Sequence, residues 1–242
     1  MARRGRAARL QGRVAVRPRA NNPLDDNELT ERGLAAPEFK PGRILLIACG
    51  ALAREILDIN ASNQFTHIDL TCPPAKLHLY PDQIPDAVTV AVKKHRASYD
   101  QIFVVYADCG TGGALARTCA DLGVEMVAGP HCYSFFEGNQ AFEEKSASGE
   151  ITAFYLTDFL VKQFDAFIWR PMGLDKNPEL RDMIFGNYTT LVYQSQVNDS
   201  VLVQRAAECA IRLGLTFEHR HTGYGDLEAT MRCWAGSASS SG

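Results

Sequence analysis

The chain has 242 residues, of which 46% are hydrophobic, and a formal net charge of −3. That is enough material for an α/β domain with a sizeable core, and too apolar a composition for a disordered chain. The slightly acidic balance argues against nucleic acid as the main partner of the folded part, and no apolar run approaches the roughly 20 residues of a membrane span. The basic N-terminus is not followed by an apolar stretch, so it is not read as a secretory leader, and the expected location is the cytoplasm. In that compartment the seven cysteines read as thiols, metal ligands or catalytic groups rather than disulfides.

Residues 1–41 read as a separate, disordered segment. "MARRGRAARLQGRVAVRPRA" carries seven arginines and no acid, and the following "NNPLDDNELTERGLAAPEFKPG" has no sustained apolar period. From residue 43 apolar runs alternate with amphipathic stretches. Ile44–Ala48 ("ILLIA") reads as a buried strand and Ala51–Asn60 as a helical face. Thr66–Leu70 is the next strand. Gln83–Ala97 is a helix whose end is basic at Lys93, Lys94, His95 and Arg96, which suits the helix dipole. Gln101–Tyr106 is a strand, and Gly113–Leu122 a helix stopped by Gly123. Val124–Ala128 follows as a strand, Tyr133–Lys145 as a helix and Ile151–Tyr155 as a short strand. Thr157 and Asp158 cap the helix carrying Phe159, Leu160 and Phe164. Pro178–Phe185 is a helix, Thr189–Tyr193 a strand, Val201–Leu213 a helix, Thr216–His219 a strand and Asp226–Cys233 the closing helix. The final "GSASSSG" reads as a flexible tail over 236–242.

Strand–helix alternation at this spacing predicts a mainly parallel, doubly wound sheet with helices on both faces, as a single domain over 42–235. Such sheets bind ligands beyond the C-terminal ends of their strands. Four cysteines fall there. Cys49 follows "ILLIA", Cys72 follows "HIDLT", Cys109 follows "VVYAD" and Cys132 follows "EMVAGPH". Cys119, Cys209 and Cys233 lie inside helices, where a cysteine is usually a small buried hydrophobe.

A Cys-rich site at the strand ends is therefore expected. His78, in the loop "CPPAKLHLYPDQIP", joins Cys49, Cys72, Cys109 and Cys132 as a soft ligand set suited to zinc or an iron–sulfur cluster. Cys109, Asp108 and His131 are the candidate catalytic groups. The glycine turn "DCGTGG" opens a helix, so the amides of Gly110, Thr111, Gly112 and Gly113 could hold an anion. Gly50 in "ACGAL" makes a comparable turn. His219 and His221 share one face of the last strand and are read as facing solvent.

The segments "ILLIACGAL", "YADCGTGG", "GPHCYSFFEG" and "FYLTDFLVKQFD" together resemble an uncharacterised bacterial and archaeal family, a domain of unknown function, over about residues 43–234. Its genes tend to lie beside those for trimethylamine-methyltransferase-like and corrinoid proteins. The resemblance implies a link to corrinoid-dependent one-carbon metabolism. Three functions follow as expectations. The first is a thiolate-ligated metal or cluster enzyme of methyl transfer. The second is a metal-free enzyme that uses Cys109 as nucleophile on a small anionic substrate. The third is an accessory protein for a methyltransferase or corrinoid protein. A corrinoid would enter only through such a partner, because the DxHxxG context of a histidine lower ligand is absent.

Overall fold

The computed structural model describes residues 24–37, 44–147 and 152–237. The arginine-rich segment over 1–23 and the tail from 238 onward lie outside the described residues. Among the latter is most of the tail expected over 236–242.

The elements follow in chain order. Helix α1 (Asp26–Glu31) precedes strand β1 (Ile44–Ala48), helix α2 (Ala53–Ser62), strand β2 (Ile68–Thr71) and helix α3 (Ile84–His95). Strand β3 (Gln101–Val105), helix α4 (Ala114–Leu122), strand β4 (Glu125–Met126) and the short helices α5 (Ser134–Glu137) and α6 (Asn139–Ala147) complete the first half. The second half holds strand β5 (Ala153–Leu156), helix α7 (Asp158–Lys162), helix α8 (Leu180–Phe185), strand β6 (Thr190–Ser195), helix α9 (Ser200–Leu213), strand β7 (Thr216–His221) and helix α10 (Gly225–Ser237).

The alternation is as the sequence predicts, and each pairing between these strands is parallel. The strands do not make one sheet, however. Four form a sheet of order β2-β1-β3-β4, and three form a second of order β5-β6-β7. In the first sheet β1 is central, and all five of its residues are buried. A continuous apolar run such as "ILLIA" is what a strand covered on both faces requires. Strand order reverses at β1 and β3, which puts the ligand-binding crevice of this sheet beyond Ala48 and Val105. In the second sheet order runs without reversal, and β7 is an exposed edge.

Local chemistry sets the element ends. Gly123 stops α4 in the left-handed conformation at φ 61°, a position where a side chain would be strained. Thr157 caps α7 by accepting from the Leu160 amide, as the sequence indicates. The helix expected over Tyr133–Lys145 is broken at Gly138.

Residues 24–37, expected to be disordered, are instead packed. Asp25 caps α1 through its side chain, Leu29 and Leu34 are buried, and Leu34 exchanges backbone hydrogen bonds with Cys72 at 2.8 and 2.9 Å. Two leucines are enough to dock a short helix whose own apolar period is too brief to register as one. The two sheets are tied by α10. Its Trp234 stacks on Phe103 of β3 at 4.4 Å and donates to Glu125 at 2.8 Å. Glu137 adds a link by accepting from Arg220 of β7 at 2.8 Å and from Gln194 of β6 at 3.2 Å.

Candidate functional site

The chain leaves β3 still extended. The amide of Asp108 donates to the Gly129 carbonyl at 3.2 Å, and that of Cys109 to the Pro130 carbonyl at 3.3 Å. This two-rung extension lays residues 106–109 along 127–132. It brings Cys109 Sγ within 3.2 Å of Cys132 Sγ, across 23 positions of sequence. Cys109 adopts φ 47°, a left-handed conformation uncommon for a side chain other than glycine. Strain of that kind persists only where the surroundings hold it.

What holds it is Asp108. Its carboxylate accepts from the Gly113 amide at 2.6 Å, the Gly112 amide at 3.2 Å and the Thr111 hydroxyl at 2.9 Å. The Gly113 amide is the main reason this carboxyl is held below the usual carboxylate range. The anion bound by the glycine turn is therefore internal. The amides of Gly112 and Gly113, expected to receive a ligand's charge, are already donating to Asp108. Asp108 itself braces the turn. Gly50 is required for close approach of backbone, since a Cβ there would lie 2.9 Å from the Ala75 nitrogen and 2.9 Å from the Leu29 carbonyl oxygen. It lets α1 and the chain at 73–75 close over the first strand end.

The two paired thiols divide one charge unequally. Cys109 is held well below the usual thiol range, first because the Cys132 S–H donates to it and then because His78 lies alongside, with burial opposing. Cys132 is pushed well above that range by the neighbouring Cys109 sulfur and by burial. The two thiols titrate together, with Cys109 the one that favours the charged form. Cys49 is different. Burial, then the nearby Cys109 charge, pushes its thiol up to about 12. Cys72 is raised by burial and by Cys49, and its backbone is engaged with Leu34. The Tyr106 hydroxyl is buried among the four cysteines, and burial first, then its thiol neighbours, raises it well above the usual phenol range.

Beside the pair lies a cavity of about 280 Å³, between the strand ends of the two sheets. The first half contributes Cys49, His78, His131, Cys132, Tyr133 and Phe136. The second half contributes Phe154, Tyr155, Leu160, Phe167, Ile168 and Met172. Cys109 sits next to Cys132 and keeps 6% of its surface exposed. His131 stacks on Tyr133 at 4.8 Å, and Tyr133 stacks in turn on Tyr155 at 5.2 Å. Burial holds His131 below the usual histidine range, against the pull of Cys109.

Among the described residues no three His, Cys, Asp or Glu side chains are grouped to hold a metal ion. Of the helical cysteines, Cys119 and Cys209 are buried as expected, whereas Cys233 is exposed. His219 and His221 are exposed and approach the Ser195 hydroxyl at 2.9 and 3.1 Å, away from the cavity. The aromatic wall from the second half has no signature in the sequence. Its residues read there as ordinary helix and strand core.

Among the described residues, no helix is long and apolar enough to cross a membrane. No curated protein and no solved structure matches the chain. A family model described as "Protein of unknown function (DUF1638)" matches residues 72–231, about two thirds of the chain. That span takes in Cys109, Cys132, His78, His131 and the aromatic wall, and by it the chain belongs to this family of unknown function.

Proposed function

We propose that the protein is an enzyme whose reactive group is the thiolate of the Cys109–Cys132 pair. The observation that carries this reading is the 3.2 Å contact between the two sulfurs at the edge of the cavity. A thiolate is the nucleophilic form of cysteine, and a donated S–H together with an adjacent imidazole supplies it without a metal. Passing the proton along the S–H···S bond moves the charge from Cys109 to Cys132, which faces the cavity. Either sulfur can then meet a substrate.

The walls define that substrate's class. They are mostly aromatic and aliphatic, with polar character confined to His78, His131, Thr157 and the aromatic hydroxyls. A compact molecule with an apolar body and one electrophilic carbon fits them. A free anion does not, since the glycine turn is occupied by Asp108. When the Cys109 thiolate attacks the electrophilic carbon, an S–C bond forms and the departing group leaves with its electron pair, taking up the Cys132 proton directly or by way of His131, which stands beside the pair.

The test is iodoacetamide labelling of the reduced chain, mapped by peptide mass spectrometry across pH. One member of the pair reacts rapidly at neutral pH, while Cys119 and Cys209 lag. Equally slow labelling of all cysteines rejects the reading. Retention of a corrinoid protein or methyltransferase, with an unreactive pair, supports the accessory role instead.

A further inference from the structure

We infer that Cys109 and Cys132 form a reversible disulfide, with Cys109 the site of oxidation by a hydroperoxide and Cys132 the resolving thiol. The inference rests on the pair being the reactive group, and adds a modification that this reading does not require.

The geometry is already close to the product. The sulfurs stand 3.2 Å apart, and a disulfide needs about 2.05 Å, so they approach by roughly 1 Å. Both lie on segments that can give: Cys109 opens the turn built on Gly110, Gly112 and Gly113, and Cys132 precedes the four-residue helix α5. Neither sulfur lies inside a regular helix or strand that would have to break. Cys49 is less suited to resolve Cys109. Cys132, not Cys49, is the sulfur in contact with Cys109, and Gly50 beside Cys49 is wedged against the backbone of Leu29 and Ala75. The residual exposure of Cys109 admits a small oxidant where a larger substrate would have to enter the cavity.

Oxidation begins when the Cys109 thiolate attacks the terminal oxygen of the hydroperoxide. An S–O bond forms, the O–O bond breaks, and the alkoxide leaves and takes up a proton as an alcohol or water. The sulfur has lost two electrons and the peroxide has gained them, giving a sulfenic acid. The Cys132 sulfur then attacks the Cys109 sulfur. An S–S bond forms, the S–O bond breaks, and hydroxide departs with the Cys132 proton as water. A small dithiol reverses the change by exchange. While the disulfide stands, the pair has no thiolate, so the chemistry proposed above is switched off.

The experiment treats the reduced full-length chain with hydrogen peroxide and follows intact mass and cysteine-linked peptides, with and without dimedone to trap sulfenic acid. The expected result is a mass lower by two hydrogens, a peptide joining Cys109 to Cys132, loss of rapid iodoacetamide labelling, and full recovery after dithiothreitol. In Cys132→Ser the sulfenic acid persists and dimedone captures it at Cys109. Wild-type peptide mapping decides the matter even if that variant fails to fold. A dimedone adduct at Cys109 without the disulfide, or a disulfide that uses Cys49, overturns the inference. So does unchanged mass in a chain whose pair still alkylates rapidly, which leaves the nucleophile reading standing. Slow, uniform alkylation before any oxidant removes the nucleophile reading itself.

Discussion

Two turns of this molecule look alike and behave oppositely. After β1 the chain reads Ala48-Cys49-Gly50, and after β3 it reads Asp108-Cys109-Gly110. Both place a cysteine beyond the C-terminal end of a neighbouring parallel strand. Cys49 keeps an extended backbone at φ −59° and enters a helical turn. Its thiol is pushed up to about 12 by burial. Cys109 is turned to φ 47°, receives an S–H from Cys132 and has His78 beside it, and so holds its charge. Position in the topology makes a thiol available; the groups that donate to it decide whether it ionises.

The sharpest way to break this comparison is to remove each thiol. Cys109→Ser should abolish the fast-labelling cysteine, lowering the initial alkylation rate at pH 7 by between about 10- and 100-fold. Cys49→Ser should leave the rate within about twofold. Fast labelling of Cys132 in Cys109→Ser would reverse the assignment of the charge. Next in size is Cys132→Ala, which removes the main donor to Cys109. A hydrogen bond to a charged group contributes about 1.5–3 kcal/mol, so the pH midpoint of labelling should rise by about one to two units.

The glycines of the two turns should also differ, in stability. Gly50→Ala forces a Cβ against backbone atoms at 2.9 Å and should cost about 2–3 kcal/mol in urea denaturation. Gly110→Ala meets only the Pro81 side chain at 3.4 Å; its positive φ alone should cost about 1–2 kcal/mol. The smallest effect concerns acid. Asp108 has a folded-state pKa below its ordinary 3.8. Its contribution is complete above 3.8 and is lost as pH falls through the depressed value. Asp108→Asn should therefore flatten the decline of Tm at low pH relative to the native chain. An unchanged acid limb would show that the turn does not depend on this carboxylate.

Much of the fold is legible in the chain. Buried strands such as "ILLIA" declare themselves by unbroken apolar runs, and caps such as Thr157 and Gly123 by local chemistry. The division into two sheets is not legible, because strand pairing joins residues far apart and each strand's own pattern is indifferent to which sheet receives it. Of the candidate site, Cys109, Cys132, His78 and His131 come together. Cys72 is buried beside Cys49 and does not line the cavity, and the glycine turn is filled by Asp108. The wall of Phe154, Tyr155, Phe167 and Met172 could not be told from core, since an aromatic on a cavity and one in a core obey the same burial pattern.

By itself the sequence determined the alternation of strands and helices, and with it the placing of four thiols just past strand ends, because burial and turn chemistry are local. Only the tertiary structure decided which two thiols touch and which groups lie beside them. That depends on two rungs of backbone pairing between 108–109 and 129–130, and on a second sheet closing the cavity from the far side.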